Sequence, residues 1–355
     1  MFVWLFCALA LAQEPAPTPA LPEAPLPPAP SAFTHWGAME VPAKPAGSSA
    51  ASAPVDLRAV WAGMPRQAVL EEAVDRILAY DLDGAAARLR FLEEAGRAPD
   101  TTYRLGYIAE LQEDWFEAIS LYADVRNDWP EAPDARNATF RMALCFEEVG
   151  QPRDSAALID SLRADGGFGP TDAAAIALQR AITELKSGKV RRGKRHIAAA
   201  LDDLAGTEQL RWLQARAHVA LAAQALAEAQ ALPLGNSRRQ LANLQRRAAL
   251  INVAEAEVTA AAHTEEVDPI LRGLLLLGDG YMQLHDALLA VPPPAGLGPD
   301  EVPIYTAELA KKARVLESKA LRLYDDGVTL AVRTRYEGSL RATLTARRDA
   351  LGHAG

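Results

Sequence analysis

Apolar and small residues recur at helical spacing along most of the chain, in blocks separated by short polar turns. The clearest unit spans residues 99–132. Its marker positions are Leu105, Gly106 and Ala109 in a first block, then Ala118, Tyr122 and Val125 in a second, with Pro130 at the end. The second helix must stop there because proline lacks the amide donor. The pattern predicts two antiparallel helices that approach closely at the small residues.

The same two-block pattern returns on both sides of this unit. A third unit carries Met142, Ala143, Phe146, Gly150, Ser155, Ile159 and Leu162, and a fourth carries Ala181, Gly188, Gly193, Ile197 and Ala200. Upstream, Ala87 and Phe91 precede Ala118 and Tyr122 by 31 residues, which predicts a degenerate first unit from about Arg66. Units of this size are stable only when they stack on neighbours. Since Val, Ile and Thr never alternate in runs, no strand is predicted.

The unit at residues 99–132 resembles a tetratricopeptide repeat. The family pattern of Leu-Gly, two small residues, an aromatic and a proline is matched by Leu105-Gly106, Ala109, Ala118, Tyr122 and Pro130. It departs from the family at Thr102, where Trp is usual, and at Glu113, where Gly is usual. The resemblance implies an all-α superhelix of antiparallel helix pairs, an α-solenoid, over residues 57–205.

In this family the inner helix of each repeat lines a groove that accepts an extended or helical peptide. Carried over residue by residue, the groove positions are Tyr103, Tyr107, Glu110, Asn137, Phe140, Leu144 and Glu147. Aromatic side chains bordered by carboxylates can anchor a peptide with apolar and basic side chains. The alternative, that the tyrosines pack against the next helix, stays open on sequence alone.

Longer helices are expected in residues 206–355, a carboxy-terminal extension packed on the solenoid. The pattern predicts helices at 208–232, 237–263, 267–291 and 303–351, with proline-rich breaks between them. This part resembles the carboxy-terminal region of envelope-associated tetratricopeptide proteins of gliding and predatory bacteria. The resemblance rests on Tyr281, Pro293-Pro294, Leu297, Tyr305, Leu309, Lys312, Ala320 and Tyr324.

The amino-terminal residues indicate export. Residues 1–12 read MFVWLFCALALA, an apolar block that ends in a small-x-small triplet and resembles a signal peptide. Residues 13–56 are rich in Pro and Ala, a composition that cannot bury enough apolar area to fold and that predicts a disordered spacer. We therefore expect a protein of the periplasm or outer membrane of a Gram-negative bacterium, with no transmembrane segment in the mature chain.

Charge narrows the class of partner. The formal net charge is -9 and the sequence pI is about 5.3, which argues against nucleic acid because phosphate binding needs a concentrated positive surface. One basic stretch departs from this balance, with Lys186, Lys189, Arg191, Arg192, Lys194 and Arg195. It is either a solvated turn or a docking patch for an acidic partner or anionic lipid.

Candidate catalytic chemistry is sparse in the sequence. The six histidines do not occur in HExxH or other paired-ligand spacings, and no nucleophile elbow, Walker loop or dinucleotide fingerprint is present. His285-Asp286 near Asp279 could form a metal site, but a polar helix face accounts better for these residues. We expect no metal, no cofactor and no enzymatic activity.

The sequence supports one leading hypothesis and two others. The leading one is a non-catalytic envelope scaffold or adaptor, part of an outer-membrane, motility or secretion machinery, that binds a partner protein in the repeat groove. The first alternative is a structural protein associated with the cell wall or with polysaccharide. The second, an enzyme with a divergent site in the carboxy-terminal half, has no supporting group of residues.

Overall fold

The computed structural model describes residues 57–204, 207–234, 239–293, 296–336 and 338–352. Within these ranges the chain is all-helical and contains no strand, which confirms the predicted class. The α-helices are α1 (Leu57–Ala62), α2 (Arg66–Leu78), α3 (Leu82–Ala95), α4 (Pro99–Leu111), α5 (Trp115–Asp128), α6 (Pro133–Glu148), α7 (Pro152–Asp165), α8 (Pro170–Lys186), α9 (Val190–Asp203), α10 (Arg211–Gln230), α11 (Gln240–Ala262), α12 (Val267–Leu289), α13 (Glu301–Arg333) and α14 (Ser339–Gly352). The predicted signal peptide and spacer, residues 1–56, lie outside the described residues.

The chain divides into two compact units, and the division falls between Leu213 and Gln214. The described part of the first unit holds α1 to α9, a short 3-10 helix at Glu208–Leu210 and the start of α10. The second holds the rest of α10 and α11 to α14.

Four helical hairpins make up most of the first unit: α2 with α3, α4 with α5, α6 with α7, and α8 with α9. Their four turns have the same backbone geometry. Tyr80, Glu113, Gly150 and Gly188 all have positive φ, between 56° and 85°. In each turn the next amide donates to the carbonyl five residues back, as Asp114 does to Ala109. This is the Schellman arrangement that closes a helix end, repeated at intervals of 33, 37 and 38 residues.

Side-chain burial follows the same register. Small residues of the second helices, Ala85, Ala118, Ser155 and Gly193, are all buried. One turn later Leu89, Tyr122, Ile159 and Ile197 are each 0% exposed. In units two to four these are the residues that the sequence pattern predicts.

The predicted register of the first unit is wrong by two residues. Ala87 is exposed and Phe91 is half-buried, whereas Ala85 and Leu89 are fully buried. The phase of α3 is set where the helix begins, because the Asp81 carboxylate accepts from the Gly84 amide. Asp114 caps α5 in the same way, 33 residues later.

Close approach of the paired helices depends on glycine at two places. A Cβ added to Gly106 would lie 2.8 Å from the Tyr122 ring, which confirms that a small residue is needed there. A Cβ added to Gly193 would lie 2.7 Å from the Leu185 backbone. Tyr122 therefore fills the space that the missing side chain leaves, as the pattern predicts.

The second unit has a core of its own, built mainly by the α12–α13 hairpin. Tyr281 and Tyr324 are each 1% exposed within it, and Gly278 leaves room for the Tyr324 ring. The Tyr324 hydroxyl donates to Asp279 at 2.7 Å, and the Tyr281 hydroxyl donates to Glu255. These bonds satisfy the polar ends of two large buried rings.

The prediction of one last helix over residues 303–351 is wrong. Helix α13 ends at Arg333 and α14 begins at Ser339. Arg335 has a φ of 55°, and the Tyr336 amide donates to the Ala331 carbonyl, so a Schellman turn closes α13. The chain then folds back, and Leu344 of α14 packs over Gly327 of α13.

Candidate partner-binding site

The predicted groove residues lie mostly inside the first unit. Tyr103, Tyr107, Phe140, Leu144 and Glu147 are buried, at 1% to 7% exposure, and Glu110 and Asn137 are half-buried. They come from α4 and α6, the first helices of neighbouring hairpins. The structure therefore brings these positions together, but it places most of them out of reach of solvent.

Tyr103, Tyr107 and Glu110 belong to one closed cluster with Tyr122 and Arg141. The rings of Tyr103 and Tyr122 pack with centroids 5.6 Å apart, and the Arg141 guanidinium lies 4.6 Å above the Tyr107 ring. Glu110 accepts from the Tyr122 hydroxyl and from Arg141, both at 2.8 Å. The carboxylate that was predicted to face a partner is therefore bound within the protein.

Burial governs the protonation of this cluster. It raises the pKa of Tyr103, Tyr107 and Tyr122 above the ordinary value, while the Arg141 guanidinium lowers it and the Glu110 carboxylate raises it by smaller amounts. Burial opposes the charge of Arg141, but Glu110 together with the three tyrosine hydroxyls outweighs it, so the pKa of Arg141 is raised as well. The cluster holds one buried ion pair beside neutral phenols.

Glu147 has an equivalent role one hairpin further on. Its carboxylate accepts from Gln179 at 2.8 Å, from Lys186 at 2.9 Å and from the Thr183 hydroxyl. Arg141 and Gln179 lie at matching positions of α6 and α8, and each donates to a carboxylate 31 or 32 residues earlier. One kind of polar contact thus joins the second hairpin to the third and the third to the fourth.

The last groove positions are covered by the chain itself. Phe140 packs edge-on against Trp212, with ring centroids 6.4 Å apart and an interplanar angle of 88°. Trp212 stands at the start of α10 and is 7% exposed. A partner can reach Phe140 only if this contact opens.

Sequence reasoning missed the residues that complete these polar clusters. Arg141, Gln179 and Thr183 were not singled out, although each binds a predicted groove carboxylate. A signal was present, because a long polar side chain recurs about one repeat after each carboxylate in helices that otherwise read as apolar. Buried polar groups in such helices need partners, and the repeat period indicates where to look.

The described part of the second unit was a candidate for a metal site through His285, Asp286 and Asp279. Within the described ranges, no group of three or more His, Cys, Asp or Glu side chains could hold a metal ion. His285 contacts its neighbour Asp286 at 2.8 Å, while Asp279 is bound by Tyr324 and Arg347. These three candidate ligands are therefore engaged in hydrogen bonds and ion pairs within the protein.

Comparison with models of known protein families and with curated proteins gave no match. Among the helices of the described ranges, none combines the length and the apolar character that crossing a membrane requires.

Proposed function

We propose that this protein is a non-catalytic scaffold of the tetratricopeptide type, which binds another protein in the cell envelope. The observation that carries the proposal is the repeated hairpin, with one Schellman turn at Tyr80, Glu113, Gly150 and Gly188. Stacked hairpins of this kind create extended surfaces, which repeat proteins generally use to bind other molecules. In this proposal the four hairpins form a short α-solenoid, and the longer helices of the second unit follow it along the chain.

The buried polar groups support a structural use of the inner helices. Glu110, Arg141, Glu147 and Gln179 bind one another across neighbouring hairpins. Side chains committed to such contacts are not available to a substrate, and truncating one of them leaves a buried group unsatisfied. Partner recognition in this proposal therefore uses residues that remain on the surface, with the predicted groove positions as support beneath them.

Export to the periplasm or outer membrane is part of the proposal and rests on residues 1–12 and the Pro/Ala-rich spacer after them. A spacer of this composition would hold the helical part away from a membrane or a wall.

Affinity capture from the native envelope, with crosslinking and mass spectrometry, tests the scaffold function. Residues 13–355 serve as bait, and each recovered protein is then purified and mixed with the bait alone. The proposal expects the same envelope proteins in repeated captures and direct binding on reconstitution. Retention by isolated peptidoglycan, with no protein that binds on reconstitution, would overturn it in favour of a wall-associated structural protein.

A further inference from the structure

The strongest charge feature of the first unit is a basic cluster that consists of Lys186, Lys189, Arg191, Arg192, Lys194 and Arg195. Residues 186–195 contain six cations and no acid, whereas residues 57–185 contain 13 Lys and Arg against 23 Asp and Glu. Positive charge is thus concentrated at the fourth hairpin, in a chain whose net charge is -9.

The basic cluster lies on the surface, at the turn between α8 and α9 and along the first turns of α9. Its exposed members are Lys186, Lys189, Arg191, Arg192 and Arg195. Lys189, Arg191 and Arg195 make no ion pair with any of the residues described. Arg191 and Arg195 are four residues apart, so they point from the same face of α9.

Two buried carboxylates hold part of the basic cluster in place. Glu147 binds Lys186 at 2.9 Å, and Glu184 binds Arg192 at 3.1 Å. The side chains of these glutamates are 0% and 2% exposed. Glu184 also contacts His196 at 2.8 Å and Arg180 at 3.8 Å. Two carboxylates cannot neutralise six cations, so the surface stays positive while two of its side chains are fixed.

Apart from the two ion pairs with Glu147 and Glu184, positive charge at the start of α9 is unfavourable for that helix. The second helices of the other hairpins carry an acid in their first turn, namely Asp83, Glu117 and Asp154. Helix α9 has no acid there and begins after Lys189, which makes no capping bond. Cations near the amino terminus of a helix oppose its dipole. Lys189 and Arg191, at the N-cap and in the first turn of α9, therefore work against the stability of that helix.

We propose that the basic cluster is the docking surface for an acidic segment, rich in Asp and Glu, of a partner protein. Guanidinium groups bind carboxylates through two parallel hydrogen bonds, which favours Arg191 and Arg195 as the main contacts. A bilayer is the less favoured occupant, because the neighbouring exposed residues on α9 are Ala198 and Ala199, and adsorbing helices present large apolar side chains. The inference rests on the proposed scaffold function and names the chemistry of its partner.

Binding of a fluorescently labelled oligo-glutamate peptide to purified residues 13–355 tests the docking surface. We expect binding that weakens as salt is raised, since the contacts are between exposed charges. The double variant R191E/R195E should weaken it by at least about tenfold, which equals about 1.4 kcal/mol. The matched control R153E/R163E makes the same change of net charge on α7, at exposed arginines of the preceding hairpin, and should change affinity by less than about threefold.

Equal losses in both double variants would mean that only the overall charge matters, and would overturn the proposal. So would tight binding to phosphatidylserine-containing vesicles by a chain that ignores the peptide. Concentration-dependent self-association that R191E/R195E abolishes would identify a second copy as the occupant instead. Helical circular dichroism of each variant checks that the fold is retained.

Envelope capture with the same variants separates this proposal from the scaffold function. If wild type and R191E/R195E recover the same reconstitutable partners, the scaffold function stands and the docking surface is refuted. If R191E/R195E loses partners that R153E/R163E keeps, both proposals are supported. If no variant recovers a partner that binds on reconstitution, the scaffold function itself fails.

Discussion

Glu110 and Glu147 occupy matching positions in neighbouring hairpins, and each is satisfied by a donor from the next hairpin. Arg141 reaches Glu110 at 2.8 Å, and Gln179 reaches Glu147 at 2.8 Å. Buried charges are stable only when paired and hydrogen-bonded, so these contacts also fix which helices can be neighbours. Polar contacts, as well as apolar packing, therefore determine how the first helices of neighbouring hairpins pair.

Substitution of Tyr103 or Tyr107 tests whether these rings contact a partner or pack inside the protein. Because both rings are buried, replacing either by Ala should lower the free energy of unfolding by about 3–5 kcal/mol, the usual range for a buried aromatic. Urea unfolding followed by circular dichroism measures the loss. The control is Phe116→Ala on α5, where the side chain is 69% exposed and little change is expected. Full stability of the tyrosine variants would contradict the interior placement.

Alkaline pH should unfold the first unit through the same tyrosines. Burial raises the pKa of Tyr103, Tyr107 and Tyr122, so phenol ionisation favours the unfolded chain, where the pKa is about 10. Their contribution to stability is complete below that pH and is lost as the pH rises toward the folded pKa. Tyrosinate absorbance should therefore rise together with the loss of helical signal. Ionisation of all tyrosines while the helices remain intact would contradict this.

The four hairpins share the backbone conformation of their turns, although the residues at the turns differ. Tyr80, Glu113, Gly150 and Gly188 are chemically different, yet all adopt the left-handed conformation and are followed by the same backbone hydrogen bond. Only two of the four are glycine, the residue that adopts this conformation without strain. The backbone geometry therefore recurs more faithfully than any residue motif at the turn.

Whether an Arg→Glu substitution raises or lowers the free energy of unfolding should depend on which end of a helix it occupies. Arg191 lies in the first turn, so Arg191→Glu should raise the free energy of unfolding by about 0.3–1 kcal/mol through the helix dipole and reduced repulsion. Arg163 lies in the last turn of α7, where the same change should lower it by a similar amount. Urea unfolding of both variants is the measurement, and a loss of stability in both would refute the argument.

In the molecule as a whole, the described residues form two compact units with separate cores. The first is an array in which polar contacts connect each hairpin to the next. In such arrays a local defect weakens the neighbouring hairpins first. The second is centred on the α12–α13 hairpin and its buried tyrosines.

Removing one inter-hairpin carboxylate should affect two hairpins together. Glu147→Ala leaves the Gln179 amide without its buried carboxylate acceptor, at a cost of about 1–3 kcal/mol for the unsatisfied group, and removes the ion-pair partner of Lys186. The Thr183 hydroxyl keeps the Gln179 carbonyl as an acceptor. Hydrogen exchange should accelerate in α6 to α9, with α12 and α13 as the internal reference. Glu131→Ala, at an exposed loop position, is the control and should leave exchange unchanged. Acceleration confined to α6 would argue against coupling between hairpins.

The all-helical class, most helix positions and the buried register of three hairpins follow from the amino-acid sequence alone. They do so because apolar periodicity and small residues such as Gly106 and Ala118 are local signals that packing preserves. The pattern misplaced Ala87 and Phe91, since two residues of drift turn a helix to another face. It also missed the break after Arg333, where a non-glycine residue adopts the turn conformation.

The surroundings of the candidate groove residues, by contrast, depend on contacts made in the folded protein. A tyrosine beside a carboxylate looks the same in sequence whether it faces a partner or the next helix, and the difference depends on residues far away along the chain. Arg141 over Tyr107 and Trp212 against Phe140 supply that information. Exposure of the basic cluster is likewise a tertiary property, because it depends on which face of α9 packs on α8. Local pattern fixes the helices, and long-range contact decides which side chains are left on the surface for a partner.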